Sequence, residues 1–311
     1  MTTTLEAPPA AKTEHRPGRR PRRRATAPLI WLAPGLLLLL AVRYVPTLLG
    51  ANYAFTDWNG ISSVYNIVGL DNFQTIVKDP DSRRALVNTL VLALTVVIAS
   101  NVLGMSLALA LDSAIKTRNI VRAVFFAPAV LSPLATAYIW RYIFQIDGPL
   151  NHLFGAVGLG SWERSWLADP TWAQWAVAVV AVWQFTGLAM VIYLTGLQSI
   201  PAELTEAASV DGAGPWRRFR GITLPLLAPA TTIALTLTTI MALGIFDQVV
   251  ALTGGGPAGK TATLSTVIYE QTFSLGRFGY GTALAVILTV VISIASVTQL
   301  LVLRSRERRM R

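Results

Sequence analysis

The sequence predicts an all-α polytopic membrane protein with six transmembrane helices and both termini in the cytoplasm. Three observations carry that expectation. Hydrophobic residues make up 53% of the 311 and charged residues only 14%, against about 25% charged in soluble domains. Six stretches are apolar over the length needed to cross about 30 Å of hydrocarbon, which takes about 20 residues. The lysines and arginines fall mostly on one side of those stretches. The chain has no cysteine, which excludes disulfides, thiolate metal sites and a cysteine nucleophile. Its two histidines, His15 and His152, make a histidine metal site improbable.

Residues 1–27 are rich in Pro, Ala, Thr and Arg, with RPGRRPRRR at Arg16–Arg24. They read as a disordered basic tail. Placed directly before an apolar segment, such a run is a topology determinant rather than a nucleic-acid site. The expected spans are Pro28–Leu49, Ala85–Leu111, Ile120–Phe144, Trp172–Leu197, Leu224–Val250 and Gly281–Leu303. Pro28–Leu49 is too long for a signal-peptide core and no small-x-small cleavage site follows, so it is expected to be a retained span. Pro34, Pro46, Pro128 and Pro133 fall inside spans, where neighbouring helices can satisfy the freed backbone groups. Residues 304–311 form a second basic tail.

With the N-terminus cytoplasmic, 18 of the 26 lysines and arginines lie on the cytoplasmic side and 6 on the other, with Arg43 and Arg141 inside spans. That bias fixes the orientation. Trp58, Tyr65, Trp162, Trp166 and Tyr280 fall in outer connections, and several of them are expected in an interfacial aromatic belt. Arg43 and Arg141 are expected to snorkel near outer helix ends. Gly254–Lys260 ends in GPAGK followed by Thr261; without a preceding strand or P-loop spacing it reads as a turn.

The segment 199–225 differs from everything around it. Pro201 can open a short helix, with Glu203 and Glu206 three apart near its positive end. Ala207, Ala208 and Ser209 keep that helix slim. Asp211–Gly212 breaks it, and Gly214–Pro215 starts a second helix anchored by Trp216 and Phe219. Leu224–Pro225 turns the chain back into the membrane. The positive-inside rule accounts for Arg217, Arg218 and Arg220. It does not account for a slim acidic helix, a glycine break and two aromatic anchors together. A knob that fits a groove in a soluble partner does.

The run EAASVDGAGPWRRFRGITLPLLAP from Glu206 resembles the cytoplasmic EAA loop of permease subunits in binding-protein-dependent ABC importers. Glu206, Ala207, Ala208, Asp211, Gly212, Ala213, Phe219, Ile222, Leu224 and Pro225 occupy its characteristic positions. Gly69-Leu70-Asp71-Asn72-Phe73, Asn88-Thr89, Phe246-Asp247, Leu252-Thr253-x-Gly255-Gly256-Pro257 and Gly279-Tyr280-Gly281-x-Ala283 are similar to the carbohydrate branch of maltose-type permeases. The resemblance covers about Ala27 to Leu303.

It implies a type I ABC importer permease fold, with the loop seated as a coupling helix in a cytoplasmic ABC ATPase dimer. Glu206 would make the charged contact, Ala207 and Ala208 would allow close packing, and Gly212 would set the turn. The implied partners are that ATPase dimer, a second and different permease, an extracytoplasmic solute-binding protein and the lipid bilayer, with no nucleic acid. This chain would bind no cofactor; ATP and Mg would be used by the ATPase. The implied substrate path runs along spans four to six. Trp183, Gln184, Phe185 and Thr186 are its candidates in the fourth span, and Thr238, Thr239, Met241 and Phe246 in the fifth. Helix packing is the competing role for each. Asp247 is expected to be a structural hydrogen-bonding residue. A glycerol-3-phosphate permease is the alternative of the same class. An ion-coupled carrier would need intramembrane carboxylates or broken helices, and a membrane enzyme would need a convergent catalytic set; the spans suggest neither.

Overall fold

The computed structural model describes residues 31–112 and 117–310, with backbone only for Arg306 and residues 308–310. The basic run at Arg16–Arg24, Pro28 and Lys116 lie outside the described residues. Contacts divide the chain into two compact units, residues 1–47 and 48–311. Among the described residues the fold is helical, with one isolated antiparallel bridge between Thr56 and Ile67.

The helices are α1 (Ala33–Tyr53), α2 (Asp71–Lys78), α3 (Pro80–Asp112), α4 (Arg118–Val130), α5 (Pro133–Ile143), α6 (Pro149–Ala156) and α7 (Ala173–Gln198). They continue with α8 (Ala202–Val210), α9 (Pro215–Leu226), α10 (Ala228–Leu243), α11 (Asp247–Leu252), α12 (Leu264–Tyr269) and α13 (Phe278–Met310). Four helices are long and apolar enough to cross a membrane, or six if each bent pair is one span. In α1 a π turn over Leu40–Tyr44 precedes Pro46, which has no N–H to give the preceding turn. Arg43 in that turn is exposed.

Helix α7 is the centre of the second unit, since 67% of its most apolar window is buried, against 33% for α3 and 6% for α13. It packs on its neighbours through small residues, as membrane helices do where there is no water to expel. A Cβ on Gly104 of α3 would lie 2.7 Å from the Ala189 Cβ, and one on Gly187 would lie 2.5 Å from the Phe125 carbonyl of α4. Helices α3 and α7 run parallel. Gln174 meets Asn88 at their N-terminal ends, and Gly104 meets Ala189 a turn or more beyond mid-helix.

Two expected spans are not continuous. The third breaks at Leu131–Ser132, and α4 and α5 meet at 101°. Leu131 and Ser132 are extended, with ψ 144° and 133°. Pro133 forces this, because its ring excludes the helical region for the residue before it. The fifth bends by 66° between α9 and α10, where Pro229 removes a helical donor. So the chain does not turn at Leu224–Pro225, which is itself helical. This span also ends at Leu243, and Asp247–Leu252 forms a separate helix. The expectation of uninterrupted spans is therefore corrected at both places.

The aromatic-belt expectation also needs correction. Trp166 is buried and its Nε1 donates to Asn151 Oδ1 at 2.8 Å. The Arg164 guanidinium lies 4.7 Å from the Trp172 ring, 5.2 Å from Trp166 and 5.4 Å from Trp162. Such a stack is a packed cation–π cluster. Trp58 lies 4.2 Å from Tyr53 and donates to the Ser62 carbonyl at 2.7 Å.

Candidate functional site

The loop after α7 has the shape its residues predict. Helix α8 ends in a Schellman motif. The Ala213 N–H donates to the Ala208 carbonyl at 2.9 Å and the Gly212 N–H to Ser209 at 3.1 Å, which closes the last turn. Gly212 has φ +76°, a left-handed conformation that costs any other L-residue about 1–2 kcal/mol. Gly214 is extended, and Pro215 opens α9 at its first position. Arg218 donates to the Ser209 hydroxyl across the turn. Pro201 departs from expectation by sitting before the first helical residue, with ψ 131°.

Most of this loop faces outward. Glu206, Ala207, Asp211 and Gly212 are exposed; Ala208 and Ala213 are half-buried. Among the described residues Glu206 makes no ion pair or side-chain hydrogen bond. Trp216 is 70% exposed and stacks 5.6 Å from half-buried Phe219. Within this chain Trp216 is therefore not covered, and it projects from the second helix.

The remaining motif residues gather at the opposite end, where α3 and α7 begin. Asn72 donates to the Ala54 and Thr56 carbonyls at 2.8 and 2.9 Å. Asn88 donates to Gly259 and Ala262 at 3.1 and 3.0 Å, holding the Gly254–Lys260 segment, which is a turn as expected. The Thr89 hydroxyl accepts the Leu264 N–H at 2.9 Å. A Cβ on Gly279 would stand 2.0 Å from the Thr56 carbonyl oxygen, so only glycine fits. Partial burial pushes the Asp79 carboxyl up, but hydrogen bonds from the Ser82 hydroxyl and N–H outweigh it and hold it below the usual carboxylate range. Asp57 is also held low, by the side chain and N–H of Asn66.

The eight candidate path residues differ in exposure within this chain. Gln184, Phe185, Thr186 and Thr238 are buried, Thr239 and Phe246 half-buried, and Trp183 and Met241 exposed. Gln184 donates to the Leu131 carbonyl at 3.1 Å and accepts from Gln248 at 2.9 Å. One buried amide pair thus joins the break in the third span to the helix that follows the break in the fifth. Thr263 satisfies the other side of that second break, donating to the Ile245 carbonyl at 3.1 Å. Thr238 accepts from Asn101 at 2.8 Å, and Asn101 accepts from Tyr193 at 3.1 Å. Gln248, Asn101 and Thr263 were not singled out in the sequence. The available signal was an uncharged polar side chain in an apolar run, which must find a partner when buried. Asp247 is exposed and makes no side-chain hydrogen bond among the described residues. Arg141 is exposed and its guanidinium reaches the Ala251 carbonyl at 3.5 Å.

The second unit is thus a helical, membrane-type fold with two broken spans and an exposed, self-closed helix–turn–helix. The chain belongs to the family of binding-protein-dependent transport system inner membrane components, which matches residues 100–309. It is 36% identical over 278 residues to a probable starch degradation products transport system permease protein of Thermoanaerobacterium thermosulfurigenes, covering 89% of this chain and 94% of that one. It is 37% identical over 265 residues to a multiple sugar-binding transport system permease protein of Streptococcus mutans, covering 85% and 91%. Its fold matches a bacterial ABC transporter involved in the import of the acidic polysaccharide alginate, with TM-score 0.76 and 25% identity over 90% of this chain and 94% of that one. Family membership, not unbroken spans, sets aside the ion-coupled carrier.

Proposed function

We propose that this chain is one permease half of an ATP-driven importer in a prokaryotic plasma membrane, taking a sugar or oligosaccharide from an extracytoplasmic binding protein. The observation that carries the reading is the joint presence of sugar-system relatives along nearly the whole chain and an exposed, unpartnered Glu206 on a helix closed by Gly212. In this reading six spans place both termini and the 199–225 loop in the cytoplasm, and the loop docks on an ATPase dimer that a second permease shares. ATP and Mg act on the ATPase; this chain converts its closure into motion of the spans.

The loop suits a lever. Its end is fixed internally by the Schellman bonds and by Arg218 to Ser209, so force applied to α8 is passed on instead of being lost in fraying. The 66° bend at Leu227 and the break at Leu131–Ser132 are places where α9 and α4 can move relative to α10 and α5 without unwinding a helix. The test is uptake of radiolabelled oligosaccharide by the assembled transporter in proteoliposomes. Glu206→Lys is expected to abolish uptake while the chain inserts and assembles with its companion permease. Normal uptake by that variant would remove the coupling role.

A further inference from the structure

At the end opposite the coupling loop, six aromatic rings form an unbroken series. Phe246 lies 5.4 Å from Tyr269, Tyr269 5.4 Å from Phe273, and Phe273 6.2 Å from Phe278. Phe278 lies 5.0 Å from Trp58, and Trp58 4.2 Å from Tyr53. The series starts at the break after α10 and ends at Tyr53, the last residue of α1. None of the six is fully buried, and Tyr269 and Phe273 are 48% and 68% exposed. The π turn Glu270–Ser274 follows Tyr269 directly and contains Phe273; wide turns of this kind recur at functional sites.

Tyr269 also walls a cavity of about 1020 Å³, at the upper end of the volume of ligand pockets, about 1,000 Å³. Three cations (Lys78, Arg84, Arg277) and three carboxylates (Asp79, Asp81, Glu270) line it, so its formal charge cancels. Several of these are already engaged. Arg84 pairs with Asp81 at 3.2 Å, Asp79 accepts from Ser82, and Arg277 lies 5.9 Å from the Tyr280 ring. A carboxylated or phosphorylated solute meets no net positive field there. Hydroxyl groups meet both donors and acceptors, among them Gln271 Oε1, which is buried without a hydrogen-bond partner. Open ring faces beside a charge-balanced, hydrogen-bonding cavity suit a polyol, with C–H faces for the rings and hydroxyls for the polar wall.

We propose that this ring track and the cavity at Tyr269 form a reception site for a neutral oligosaccharide, guiding it toward Phe246. The inference rests on the sugar-permease reading and narrows it to uncharged substrates. The assembled transporter in nanodiscs is probed by saturation-transfer NMR, irradiating aromatic protons in the presence of maltotetraose, cellotetraose, chitotetraose or tetragalacturonate. At least one neutral tetrasaccharide is expected to receive saturation and tetragalacturonate none. Tyr269→Leu and Phe273→Leu should each weaken the binding about threefold without lowering the melting temperature, which a merely structural role would lower, and Tyr269→Phe should keep it, because the ring face and not the hydroxyl meets the sugar. Equal signal from tetragalacturonate, unchanged binding in both leucine variants, or broadening of these rings by nitroxide-labelled lipid would overturn the proposal. Uptake by the same transporter separates the two readings. Absence of any neutral signal alongside uptake of one of these neutral sugars overturns the reception site alone. Absence of both signal and uptake for all three overturns the sugar reading with it.

Discussion

The two ends of this permease use their motif residues in opposite ways. At the coupling end Glu206, Ala207, Asp211 and Gly212 are exposed, and the bonds that shape the loop join residues a few positions apart. At the far end Asn72, Asn88, Thr89 and Gly279 are tied to backbone groups 16 to 223 positions away, or are too closely approached to carry a side chain. A motif therefore has two physical meanings in one chain. In the first region it is an exposed surface shaped by local bonds, which the proposed function assigns to a partner; in the second it is the stitching that holds three segments of this chain together. Damage to the first should stop transport with little loss of stability, and damage to the second should lower the stability of the fold itself.

The sharpest way to break this contrast is Gly279→Val. Its Cβ would meet the Thr56 carbonyl at 2.0 Å, and overpacking of this kind costs about 1–3 kcal/mol or more. The expected outcome is a large fall in the melting temperature of the detergent-solubilised chain. Asn88→Ala comes next. It leaves the Gly259 and Ala262 carbonyls without their donor, at about 1–3 kcal/mol, and thermal unfolding should report that loss. Unchanged melting in both variants would erase the distinction between the ends.

Gln184→Leu tests the middle of the molecule. It strips the donor from the Leu131 carbonyl and leaves Gln248 without its acceptor, so stability should fall by about 1–3 kcal/mol. Gly212→Ala should cost less, about 1–2 kcal/mol, because nothing lies within 4 Å of the added Cβ. Uptake should nevertheless fall much further than melting does, which is the signature of the coupling end. The smallest effect is expected from acid. Asp79 has a lowered pKa, so its ionised form stabilises the fold above the ordinary carboxylate value, and that contribution fades as pH falls through the lowered one. Melting measured from about pH 5 to about pH 3 should fall more for the native chain than for Asp79→Asn.

The sequence was most informative where structure is local. The helix–break–helix of residues 202–226 followed from Pro, Gly and the small residues, because caps and left-handed turns are satisfied by near neighbours. Long apolar runs located α3, α7 and α13, since crossing a membrane needs only length and low polarity. Bends were harder to read. Pro133 and Pro229 were visible, but proline in a membrane helix is compatible with a modest kink or a full break, and the choice falls to distant residues. Gln184 reached Leu131 from 53 positions away, a pairing no periodicity encodes. Trp166 and Trp216 exchanged roles for the same reason: an indole carries no mark of which protein surface will cover it.

By itself, then, the amino-acid order determined a helical membrane permease, the place of its exposed 199–225 loop and the turn at Gly212. Tertiary structure alone decided that two spans are broken, that a buried glutamine pair joins them, and that Asn72, Asn88 and Thr89 bind backbone far along the chain. It also decided that six rings spread from Tyr53 to Phe278 stand in one series. The division has one physical cause. Backbone groups inside a helix find partners within four residues, whereas a broken backbone or a buried amide must find one wherever packing brings it.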